Sequence, residues 1–212
     1  MGLFGKKSSA SVVGGGFYSG YKAKVAESIG PTNGRVERTL RENVAVVELT
    51  HGAGSTYVSA AIANYLYNRG MGETMLVHDI KDEYLEEILM AQVVRDNFPI
   101  NMAEIYSACD CLIQDFGVYK ELDSNKKMAL SMASTKIVVC NADDDYMRLL
   151  ADFTRERTDA DRFYYLFNRV PREWERKVGR VMDEYEAYCL PMFFARTPGT
   201  DMTQIFRRIF RR

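Results

Sequence analysis

Three things are missing from this chain: an excess of charge, a cysteine pattern and a long apolar run. The net charge is −1 over 212 residues, so any attraction for nucleic acid has to be local. Cys109, Cys111, Cys140 and Cys189 show no C-x-x-C spacing and lie in apolar, strand-like runs. They read as buried thiols in a reducing compartment, against the alternatives of a metal site or a disulfide. No segment approaches the ~18–20 apolar residues of a membrane-spanning helix. The opening MGLFGKK lacks the apolar core of a secretory signal, and the expected location is the cytoplasm. What remains is 47% hydrophobic and 27% charged, a globular composition with enough length for a large core.

Residues 1–40 read as an extension, in which GKKSSASVVGGG and the turn cluster Gly30 to Gly34 flank a short helix over 17–29. From Asn43 onward, strand-length apolar runs alternate with helical patterns. The strand candidates are 43–49, 74–79, 109–115, 135–140, 162–168 and 188–194. Between them, Val58, Ile62, Tyr65 and Leu66 trace one helical face, and Met128, Leu130 and Met132 belong to a second helix. Asp143 opens a third through Leu149, Leu150 and Phe153, and 172–187 makes a fourth. Alternation with near-continuous apolar strands predicts a three-layer α/β/α domain over 41–200, with a mainly parallel sheet of about six strands. Ligands of such sheets bind at the carboxyl ends of the strands, where Asp79, Asp115, Asn141 and Asn168 stand. The same residues cap helices, so each has a purely structural reading too. The run Asp143, Asp144, Asp145 is accounted for by favourable charge at a helix N-terminus, without a metal.

The run Val44 to Val47 leads into Gly52, Ala53, Gly54, Ser55 and Thr56, and an amphipathic helix follows at once. In this strand–loop–helix order, backbone N–H groups and a helix N-terminus can cradle a phosphate. A full phosphate-binding signature ends in Gly-Lys-Ser/Thr, whereas this loop ends in Gly54-Ser55-Thr56. The loop is either a nucleotide cradle without its lysines or a tight strand-to-helix turn.

The order of these pieces resembles the MinD/ParA group of deviant-Walker P-loop ATPases, which includes the pilus-localisation proteins called TadZ or CpaE. The likeness covers roughly residues 43–200 and rests on VAVVELTHGAGST, CLIQDFG, STKIVVCNADDDYMRLL, RFYYLFNRV and YCLPMFFARTPG. It implies that Gly52, Ala53, Gly54, Ser55, Thr56 and Asn168 bind nucleotide, Asn168 at adenine. It further implies that Thr56 ligates magnesium, with Asp115 behind it as the carboxylate that organises metal and attacking water. Asp115 is thus the catalytic candidate if the chain is active. Thr50 and Ser55 stand where the family has its two lysines, one of which reaches across a nucleotide-sandwiched homodimer. Losing one preorganised donor typically costs about 10²–10³ in rate. The implied cofactor is ATP or ADP with magnesium, or none. His51 offers only a part-time charge, since an unperturbed imidazole is mostly neutral at pH 7.

The chain ends in DMTQIFRRIFRR, residues 201–212. On a helix, Met202, Ile205, Phe206, Ile209 and Phe210 share one face and Arg207, Arg208, Arg211 and Arg212 the other. This pattern suits an anionic membrane surface and resembles the targeting tail of MinD proteins. It equally suits packing on the domain's own sheet. The leading expectation is a degenerate MinD/ParA-like scaffold or localisation factor with weak or no hydrolysis. It would sit at the inner face of a membrane and serve a secretion or pilus type of machine, a step taken by analogy. An active Mg-ATPase with substituted charges is the alternative. A ParA-like DNA-binding protein is the third reading, disfavoured by the neutral net charge.

Overall fold

A computed structural model describes residues 40–78, 92–95, 102–191 and 200–210. The extension over 1–39 with its helix at 17–29, Asp79, the stretch 192–199, Arg211 and Arg212 lie outside the described residues. The strands are β1 (Glu42–Glu48), β2 (Thr74–His78), β3 (Gln92–Arg95), β4 (Cys111–Val118), β5 (Thr135–Asn141), β6 (Phe163–Val170) and β7 (Glu186–Pro191). The helices are α1 (Ser55–Asn68), α2 (Met102–Ala108), α3 (Ser124–Met132), α4 (Asp144–Arg155), α5 (Arg172–Val181) and α6 (Thr200–Ile209).

The seven strands form one sheet in the order β3-β2-β4-β1-β5-β6-β7, and every pairing is parallel. The expected α/β architecture therefore holds. The strand beyond the six read from the sequence is β3, whose four residues are too few to show a period. Helix α2 also carries no long apolar pattern and went unread.

β1 lies at the centre, with Val44, Ala45, Val46 and Val47 all fully buried. Consecutive residues point to opposite faces, so burial of the whole run means that both faces of the sheet are covered. The next helix, α1, places Ser59, Ala60, Ala61 and Ala63 against the sheet. These small side chains let α1 lie close on β2 and β4. Asp123 and Asp143 cap α3 and α4 by accepting hydrogen bonds from the Lys126 and Tyr146 N–H groups, at 2.8 and 2.7 Å. The cap at Asp143 agrees with the structural reading of the acidic run.

Two boundaries differ from the sequence reading. The fourth helix was expected to reach residue 187, but α5 ends at Val181, because β7 starts at Glu186 in register with Tyr164. Strand pairing overrides the helix-compatible composition of 183–187. β4 runs on to Val118 rather than ending at Asp115. One extra residue is taken up between the pairs Val46–Asp115 and Glu48–Val118, with Gly117 at φ 67°. This bulge lets Phe116 and Val118 stay in the core.

Helix α6 carries the tail face read as membrane-seeking. Met202, Phe206, Ile209 and Phe210 are buried, and Ile205 is partly buried against the same core. The helix packs on α1 and β7. Tyr65 meets the rings of Phe206 and Phe210 at 5.5 and 6.1 Å. The apolar face is thus spent inside the domain, as in the packing alternative, because α1 and β7 offer it a complementary apolar surface. Arg207 and Arg208 face solvent. Phe206→Ala should cost about 3–5 kcal/mol in urea denaturation, while Arg207→Ala and Arg208→Ala should stay within about 0.5 kcal/mol. A neutral Phe206→Ala would mean that the helix is not part of the core.

Candidate functional site

The carboxyl end of β1 runs into the loop at the middle of the sheet, between β4 and β5. Leu49 N–H donates to the Tyr146 hydroxyl at 3.0 Å, and that hydroxyl donates to the Val139 carbonyl on β5. Burial raises the Tyr146 hydroxyl far above its ordinary pKa, with the nearby Cys140 adding to the effect, so it remains a neutral donor. The start of the loop is in this way tied to the neighbouring strand.

Gly52 and Gly54 take left-handed angles, φ 90° and 95°, which L side chains rarely adopt. They curl the loop so that the N–H groups at the head of α1 point inward. The Gly54 and Ser55 N–H groups both donate to Glu48 Oε2, at 3.1 and 3.3 Å. Glu48 is the last residue of β1 and only 6% exposed. Two amides at the head of α1 thus converge on one acceptor, and that acceptor is a carboxylate of the chain itself.

Asn168, expected at a nucleotide base, braces the loop. Its Nδ2 donates to the Ala53 carbonyl at 3.0 Å. A Cβ on Gly54 would lie 2.5 Å from that nitrogen. The next residue, Arg169, has φ 53° and is the one non-glycine residue with positive φ among the described residues. It sits where β6 takes up an extra residue between Phe167 and Val170. Backbone strain of this kind tends to gather at sites.

On the other side stands Asp115, 5% exposed. Its Oδ1 accepts from the Gly117 N–H at 3.3 Å, and its Oδ2 has no hydrogen-bond partner among the described residues. Burial pushes this carboxyl above the usual aspartate range. The Thr56 hydroxyl, the Gly117 N–H, the Ser55 hydroxyl and the neighbouring His78 pull it partly back. Thr56 and Asp115, the expected magnesium residues, are therefore brought together. His78, 1% exposed, has neither ring nitrogen hydrogen-bonded among the described residues.

His51 points outward, its Nε2 3.0 Å from Glu121 Oε1 on an exposed surface. The loop's hydrogen bonds and ion pairs among the described residues run to Glu48, Tyr146, Glu121, Asn168 and Asp115, and none brings in a lysine or arginine. A hydroxyl beside a carboxylate suits a divalent cation. Two of the amides that an anion at the head of α1 would use are bonded to Glu48. Sequence reasoning missed Glu48 and Tyr146. The one available signal was a charged residue closing an otherwise apolar strand, VAVVE.

Comparison with known proteins places this geometry in a fold. No family model matches the sequence, and neither does any curated protein. Solved structures do. A plasmid partition protein from Borrelia burgdorferi bound to AMPPNP has a TM-score of 0.52 at 12% identity, covering 81% of this chain and 98% of its own. A ParA family ATPase from Chlorobium tepidum has 0.50 at 14%, covering 79% and 90%. The MinD cell division protein of Aquifex aeolicus has 0.50 at 14%, covering 78% and 86%. The chain has the fold of the ParA and MinD P-loop ATPases.

Two outcomes test this geometry. Gly54→Ala should lose about 1–3 kcal/mol through its backbone angle. The double variant with Asn168→Ala should lose less than the sum of the singles, since the clash with Nδ2 disappears. For Asp115, the folded carboxyl holds its proton more tightly than the unfolded one. Its contribution is complete below about pH 4 and is lost as pH rises through the raised folded value. The stability of Asp115→Asn relative to wild type should therefore grow from pH 4 toward pH 7, as read by denaturant titration at each pH. A pH-independent difference would contradict a raised folded value.

Proposed function

We propose that this chain is a non-hydrolysing member of the ParA/MinD fold that works as a scaffold or localisation factor. The observation that carries this reading is the loop itself: its glycine curl and Thr56 are kept, while Thr50 and Ser55 stand at the lysine positions and no lysine or arginine bonds to it among the described residues. Phosphoryl transfer depends on cationic groups placed against the developing charge. A loop without them retains shape and loses catalysis. The closeness of Thr56 and Asp115 favours a second reading, an Mg-ATPase that draws its missing charge from a second copy.

Because the apolar side of α6 is buried, membrane contact in this reading runs through exposed arginines such as Arg207 and Arg208. It would be an electrostatic, salt-sensitive association with anionic lipid. Assignment to a secretion or pilus type of machine rests on resemblance alone.

Phosphate release from ATP with magnesium should remain at the buffer baseline in the wild type, Thr56→Ala and Asp115→Ala alike. Turnover that rises with protein concentration and falls at least about 10²-fold in either variant would favour the second reading.

A further inference from the structure

A buried carboxylate needs compensation, and Glu48 finds it in one place. Its Oε2 accepts from the Gly54 and Ser55 N–H groups at 3.1 and 3.3 Å. These are the first amides of α1, where the helix dipole favours negative charge. Backbone N–H groups bonded to an ionised oxygen form the stronger, charge-assisted kind of hydrogen bond. The left-handed Gly52 and Gly54 aim these amides inward, and the bond from Asn168 to the Ala53 carbonyl holds the curl closed. Apart from the covalent attachment of the anion, this arrangement is that of a phosphate held at a helix N-terminus.

We propose that Glu48 is a built-in occupant of the cradle: it keeps the loop in its filled shape without nucleotide and shuts phosphate groups out. The inference rests on reading the loop as a phosphate-type cradle. Two effects act together. A tethered carboxylate competes at a high effective concentration, in the millimolar range or above. An incoming phosphate must also displace it and then stand beside its negative charge, and like charges at such a distance are strongly unfavourable. Glu48 is therefore the residue that decides what the loop accepts. The nucleotide-dependent step is replaced by a permanent internal anion, which suits a protein that holds one conformation.

The test uses the full chain with inorganic phosphate and ADP as probes, and sodium chloride at matched ionic strength as the control. Amide resonances of Gly54 and Ser55 are followed by NMR, alongside thermal unfolding. In the wild type, neither probe should move these resonances. Glu48→Ala should unfold at lower temperature than wild type and be restored by phosphate in a concentration-dependent way. Its resonances should shift with phosphate at an affinity at least about tenfold tighter than wild type. Glu48→Gln keeps the side chain's shape and an acceptor oxygen without the charge. It serves where the alanine variant does not fold, and should show the same direction of change with a smaller gain.

Wild-type binding of phosphate or ADP as tight as that of the variants would overturn the proposal. So would two folded variants that gain no phosphate response. In that last case an inactive wild type leaves the non-hydrolysing reading standing. Wild-type ATP turnover removes that reading whatever the variants do.

Discussion

Strand β1 is hydrogen-bonded along both edges, to β4 and β5, and covered on both faces, so its terminal residue has little freedom in where it places a charge. Glu48 closes that strand, and solvent is not within easy reach of its side chain. The nearest unpaired donors are the first N–H groups of α1, which every helix leaves unsatisfied. Each side solves the other's problem. The carboxylate is desolvated and needs donors, and the helix head needs acceptors. The glycine curl between them brings the two together, with Gly52 and Gly54 at angles that other residues resist.

The same constraint orders the surroundings. Two strands that bring residues to the loop depart from regular pairing: β4 bulges at Gly117 and β6 at Arg169. The first bulge accompanies the turn of the Gly117 N–H onto Asp115, and the second comes directly after the residue that braces the loop. Asp115 is then left beside Thr56 and His78 in a desolvated space, where burial works against its charge. An internal carboxylate sits on the adjoining amides, and no lysine or arginine among the described residues is bonded to the loop beside it.

The tail shows how context reassigns an amphipathic pattern. Spacing alone puts Met202, Phe206, Ile209 and Phe210 on one face, but a membrane and a protein core present that face with much the same solvent. What decides is whether another surface of the chain is apolar, close and unfilled. Tyr65 on α1 and the strand β7 supply it, and rings on both sides meet at stacking distance.

By itself the sequence determined the layered α/β class, six of the strands, the glycine loop and the helix start at Asp143. These depend on periodicity, on turn chemistry and on residues near one another in the chain. The pairing of Thr56 with Asp115 was legible only through the resemblance of ordered motifs. Tertiary structure alone decided that Asn168 serves the loop, that the tail is core, and that β7 begins at Glu186. It also placed Glu48 on the amides at the head of α1. Glu48 and the amides it binds are only six and seven residues apart, yet a glutamate ending a strand reads as solvent-exposed. Its burial follows from β4, β5 and α1 closing around it, and those contacts come from parts of the chain that no local pattern connects.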